Sequence, residues 1–119
     1  MINGGNATVF VTNMDAAIRF YTEVLGLNLS SHYGDHWATV EAGAFTIGLH
    51  PGSPSYPKPG TKGSIQIGLN VDTPIEQAAA KLRNKGAPVM GEILRGDGGN
   101  FVYFEDPDGN ELYLWEAPK

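Results

Sequence analysis

The strongest constraint on this chain is a pattern that occurs twice: one strand, one amphipathic helix, then three strands. In the first half Met14, Ala17, Ile18, Tyr21, Val24 and Leu25 recur at helical spacing, which predicts a helix over 13–25. Thr12 or Asn13 can cap it, and Gly26 can end it. In the second half Thr73, Pro74 and Glu76 offer an N-cap, a proline at the first helical position and a capping-box acid. Ile75, Ala78, Ala79 and Leu82 then form the buried stripe of a helix over 74–85, with Gly86 as its stop. Ala7, Val9 and Val11 alternate with polar or aromatic residues before the first helix; Ile65, Ile67, Leu69 and Val71 do so before the second. Strands are expected over 27–31, 36–41 and 45–50, and again over 89–94, 101–105 and 111–115. The fold class is therefore α+β, two βαβββ modules.

A length of 119 residues suits one domain, divided here into module one (1–50), a linker (51–63) and module two (64–119). The linker carries four prolines and three glycines and is expected to be extended, without a core of its own. A helix covers one face of each sheet. The other faces are expected to form the wall of a cup-shaped mixed sheet.

Period-2 parity sorts the residues. Asn6, Thr8 and Phe10 face away from the core, as do Gln66, Gly68 and Asn70, and Glu111, Tyr113 and Trp115. Phe45, Ile47 and Leu49 are expected in the core, leaving Thr46, Gly48 and His50 on the open face. Ala38 and Val40 point inward, which leaves Trp37, Thr39 and Glu41. Gly43-Ala44 suits a two-residue type II′ turn, whose register sets Glu41 against Thr46, Thr39 against Gly48 and Trp37 against His50. The 101–105 strand is apolar on both faces, and Tyr103 is assigned to the open one.

Phe20-Tyr21-Thr22-Glu23-Val24-Leu25-Gly26-Leu27 resembles the first-helix signature of the vicinal oxygen chelate superfamily, and Phe104-Glu105-Asp106-Pro107-Asp108-Gly109-Asn110 resembles its turn before the last strand. That superfamily includes glyoxalase I, extradiol dioxygenases, fosfomycin-resistance enzymes and bleomycin-resistance proteins. The resemblance implies the fold and covers nearly the whole chain. It does not fix the activity, because one fold hosts several chemistries. Metal-dependent members carry His, Glu or Gln at four strand positions, which fall here on Asn6, Gly48, Gln66 and Tyr113. Glycine has no donor, neutral amides are weak ligands for a transition metal, and a phenol ionises only near ~10. No metal and no other cofactor is therefore expected, and the chain is nearest in type to metal-lacking, bleomycin-resistance-like members.

The expected function is metal-independent binding of a small organic molecule, with antibiotic sequestration as one form of it. The alternative is a glyoxalase-type lyase or isomerase using His50, Glu41 or Tyr113 for proton transfer. Phe10, Trp37, Glu41, His50, Gln66, Tyr103, Tyr113 and Trp115 are the expected ligand-binding residues, the rings for stacking and the polar groups as anchors. A strand-end histidine, a solvated carboxylate beside a turn and rings at a dimer interface would account for the same residues. Gly96-Asp97-Gly98-Gly99 opens no helix and reads as a hairpin rather than a phosphate loop; turn chemistry explains Asp106 and Asp108.

A net charge of −5 without a Lys/Arg cluster argues against nucleic acid. No apolar run approaches ~18 residues and no leader is seen, so no membrane partner is expected. The absence of cysteine removes disulfides and thiol chemistry and fits a cytoplasmic setting. A homodimer is expected, because such members often pair and open sheet edges need cover.

Overall fold

The computed structural model describes residue 1, residues 5–62 and residues 65–119. Residues 2–4 of module one, Gly63 at the end of the linker and Ser64 at the start of module two lie outside the described residues. The chain forms two compact units, Met1–Thr61 and Lys62–Lys119. Each holds a four-stranded mixed sheet with a helix on one face.

The first unit contains β1 (Ala7–Val11), α1 (Met14–Arg19), β2 (Asn28–Tyr33), β3 (Trp37–Ala42) and β4 (Phe45–Pro51), with strand order β1-β4-β3-β2. The β1–β4 pair is parallel and the others are antiparallel. Val9, Val11, Ala38, Val40, Ile47 and Leu49 are buried with Met14, Ala17, Phe20 and Tyr21. Burying each large aliphatic contributes roughly 1.5–3 kcal/mol.

The expected 13–25 helix is present but not uniform. Asn13 caps it, accepting from the Ala16 amide at 2.8 Å. After Arg19 the chain passes into a π-helical turn over Phe20–Val24, where the Leu25 amide reaches the Phe20 carbonyl at 3.0 Å. Phe20 and Tyr21 are both buried although the expected stripe includes only Tyr21; the Phe20 amide still bonds Ala16, so Phe20 ends the regular part of the helix.

The second unit contains β5 (Ile67–Asn70), α2 (Ile75–Asn84), β6 (Val89–Gly96), β7 (Gly99–Glu105) and β8 (Glu111–Glu116), in the order β5-β8-β7-β6. Ile67, Leu69, Val102, Phe104, Leu112 and Leu114 are buried with Ile75, Ala79 and Leu82. The expected capping box of α2 does not form. Pro74 is the N-cap and has no side-chain donor or acceptor, so the Ile75 amide donates instead to Glu116 Oε2 at 3.1 Å. Glu116 also accepts from Asn100 Nδ2 at 2.8 Å, while Glu76 pairs with Arg95.

Two expectations about burial and one about the linker need correction. Phe45 is 38% exposed because it closes the β3–β4 hairpin beside the turn. Ile65 is 79% exposed because pairing of β5 begins only at Ile67. The linker is not extended. It folds back through turns closed by Tyr56 N–H to Ser53 O and Thr61 N–H to Lys58 O, both 3.1 Å, and Pro59 packs on Gly52.

Candidate functional site

The β3–β4 hairpin has the expected register. Glu41 lies opposite Thr46 and Thr39 opposite Gly48 around Gly43-Ala44. Gly43 has φ +60° and Ala44 does not have positive φ, as a II′ turn requires.

On the open face of module one the structure brings Phe10, Trp37 and His50 together. Phe10 is the register partner of His50, at 5.6 Å between ring centroids, and Trp37 is 6.2 Å from the imidazole. Parity did not identify the fourth ring. Tyr56, from the linker, lies 4.6 Å from His50 and stacks on Phe10 at 5.2 Å. The only sequence signal was an aromatic residue in an otherwise polar, proline-rich stretch. His50 Nδ1 is 2.7 Å from the Pro51 carbonyl. A carbonyl can only accept, so Nδ1 is the donor of this bond, and Nε2 is the ring nitrogen outside it.

Glu41 shares the open face with His50 but lies at the far end of the hairpin. Its cross-strand partner Thr46 precedes His50 by four residues on β4, about 13 Å at ~3.3 Å per residue. Glu41 instead accepts from Ser30 Oγ at 2.6 Å and Thr46 Oγ1 at 2.5 Å, and these two hydroxyls hold its carboxyl below its ordinary value of 4.5. It is therefore a fixed anionic acceptor at neutral pH rather than a proton donor. The register of β2 slips between Leu29 and Ser31, which sets Ser30 and Ser31 both within 2.6 Å of Thr39 Oγ1. Such a bulge leaves no simple mark in sequence.

On the open face of module two Tyr103 lies opposite Tyr113, 5.7 Å apart, and Phe101 joins them at 5.9 and 6.2 Å. Phe101 has the same strand parity as Tyr103. Beyond the rings, Glu105 faces Glu111 across the strands. Lys62 pairs with Glu105, and Gln66 Nε2 donates to Glu111 at 2.5 Å. The bond to Glu105 is the main reason the Lys62 ammonium is held above its usual range, with Glu111 adding attraction. Trp115 is directed to the β6–β7 hairpin, where Nε1 donates to the Gly98 carbonyl at 2.9 Å and the ring covers Gly99. Asp106 is buried and accepts from the Asp108 and Asn110 amides at 3.0 and 2.8 Å, so its motif builds a turn.

The four positions where metal-dependent relatives carry ligands do not fit a metal here. A Cβ at Gly48 would meet Trp37 Cζ2 at 2.9 Å, because the indole lies across that glycine. In module two the Tyr113 ring lies across Gly68, where a Cβ would meet its Cε2 at 2.6 Å. Asn6 is hydrogen-bonded to Thr8, and Gln66 is engaged by Glu111. Among the described residues no three His, Asp or Glu side chains gather as a ligand set. No helix among them is long and apolar enough to cross a membrane.

YetH, an uncharacterized protein of Bacillus subtilis (strain 168), is 30% identical over 118 residues, covering 94% of this chain and 96% of YetH. The crystal structure of TnmS3, an antibiotic binding protein from Streptomyces sp. CB03234, has a TM-score of 0.76 at 26% identity, with 99% of each chain covered. Lactoylglutathione lyase from Agrobacterium tumefaciens shares the fold with a TM-score of 0.75 at 20% identity, over 96% of this chain and 92% of that one. A family model spans residues 5–114, and with the paired βαβββ modules it establishes that the chain belongs to the Glyoxalase/Bleomycin resistance protein/Dioxygenase superfamily.

Proposed function

We propose that this protein binds a small, flat organic molecule against the ring-bearing open faces of its sheets, without a metal. The observation that carries the reading is the pair of rings laid over glycines, Trp37 on Gly48 and Tyr113 on Gly68. Both put aromatic surface where a metal enzyme needs donor atoms, and aromatic surface suits stacking. TnmS3, an antibiotic binding protein of similar sequence and fold, supports sequestration of an antibiotic as the biological form. Module one offers Phe10, Trp37 and His50 for such a ligand, with Glu41 as a charged group farther along the same face. Module two, taken by itself, offers Tyr103 and Tyr113, with Gln66 at the polar end; Trp115 acts there through the hairpin it holds. The test is a thermal-shift screen of planar antibiotics and aromatic metabolites, since a ligand of the native state raises Tm. Hits weakened by Trp37→Ala or Tyr113→Ala support the reading; hits indifferent to both variants sink it.

A second reading is a lyase or isomerase of the glyoxalase kind, favoured by the bond that holds His50 Nδ1 and leaves Nε2 outside it, where it could take a proton. Turnover of the methylglyoxal–glutathione adduct, abolished in His50→Gln, would establish it. We also propose a homodimer that covers sheet edges such as β2, where Leu29 and Tyr33 are 45% and 66% exposed. Light scattering at micromolar concentration decides that point, and a monomeric mass would refute it.

A further inference from the structure

We propose that Tyr56 is the selectivity residue of the module-one face, a linker side chain that screens His50 and decides what reaches its Nε2. The inference rests on the reading that this face takes a ligand. The imidazole is contacted by three rings: Phe10 edge-on at 63°, Trp37 edge-on at 69° and Tyr56 tilted at 55°. Its Nδ1 is held by the Pro51 carbonyl. Chemistry at this histidine is therefore confined to Nε2.

Phe10 and Trp37 belong to strands β1 and β3 and are fixed by the sheet register. Tyr56 differs in kind. It comes from a turn held by the Tyr56 amide to the Ser53 carbonyl and by the Ser55 amide to Ser53 Oγ at 3.2 Å. That turn is tied to the sheet where Gly52 N–H donates to the Val11 carbonyl at 3.1 Å. Tyr56 is also 48% exposed, so its ring has one face on Phe10 and His50 and another toward solvent. A side chain so placed sits on a turn outside the sheet, whereas Phe10 and Trp37 sit on paired strands. It admits small electrophiles or flat rings that replace its own stacking and holds off bulkier groups.

Diethyl pyrocarbonate tests this without a ligand, because an unprotonated imidazole nitrogen takes its ethoxycarbonyl group and ethyl carbonate leaves. The three histidines, His32, His36 and His50, are scored separately by peptide mass spectrometry. His32 and His36 are exposed and have no ring contact with Tyr56 among the described residues, so they serve as internal references. Tyr56→Ala should speed modification of His50 roughly threefold or more, the factor that losing one ring contact corresponds to. His32 and His36 should keep their rates, and Tyr56→Phe should behave as the parent. An unchanged His50 rate in Tyr56→Ala, or a rise shared by all three histidines, would overturn the proposal. A failed ligand screen alongside a selective His50 response would instead count against the binding function and leave the screening role in place.

Discussion

The two modules share a backbone plan, and each packs its own core against one helix, but they present different chemistry on their open faces. Module one runs from a hydroxyl-bound carboxylate, Glu41 with Ser30 and Thr46, to a ring cluster around His50. Module two runs from an acidic pair balanced by Lys62 and Gln66 to a cluster of Phe101, Tyr103 and Tyr113. Each hides a glycine under a ring, but on different strands: Gly48 on β4 under Trp37 of β3, and Gly68 on β5 under Tyr113 of β8. The buried faces must satisfy the same packing against one helix, so they stay alike. The open faces have no such constraint and are where function can differ.

The contrast between buried and open faces gives the largest expected effects. Leu49→Ala in module one and Leu114→Ala in module two should each lose about 2–5 kcal/mol of stability, because both side chains are buried. Tyr113→Ala, one residue away on the open face, should lose distinctly less. Denaturant unfolding of the three variants measures this, and an equal loss for Tyr113→Ala would break the distinction between faces.

Next come the covered glycines. Gly48→Ala and Gly68→Ala should each destabilise by about 1–3 kcal/mol, since the added methyl forces the overlying ring to move. The cost of Gly48→Ala should largely vanish in a Trp37→Ala background, and that of Gly68→Ala in a Tyr113→Ala background. Additive double mutants would show that the rings are not what these glycines accommodate.

Much of this was legible in the sequence because it follows from short-range rules. The II′ turn at Gly43-Ala44 and period-2 alternation give the β3–β4 register, and with it the shared face of Trp37, Thr39 and Glu41. What sequence rules missed depends on contacts between distant residues or on a local change of period. Glu116 caps α2 from the last strand, a partner 41 residues from Ile75, and no capping motif encodes it. The helix widens into a π turn after Arg19, and the β2 bulge brings both Ser30 and Ser31 to Thr39. Tyr56 reaches His50 only because the proline-rich linker folds back.

The smallest effects are electrostatic, and they differ in sign between modules. The Glu41 carboxyl is held below 4.5, so its contribution to stability is present above that value and lost as pH falls through the folded pKa. Lys62 is held above 10.5, so its contribution is present below that value and lost as pH rises through the folded pKa. Melting temperatures should therefore show Glu41→Gln converging with the parent in acid, and Lys62→Met converging in alkali. Lys62 is exposed and Glu41 only half-buried, so the shifts in Tm will be small. Convergence at the opposite ends of the pH range would contradict the assigned partners.

The central claim is that ligand binding uses rings rather than a metal. Its most direct measurement is metal content by mass spectrometry, combined with ligand affinity before and after exhaustive chelation. Substoichiometric metal and an unchanged Kd after chelation are expected. Stoichiometric zinc, nickel or iron, with binding lost on chelation and restored by that metal, would contradict it.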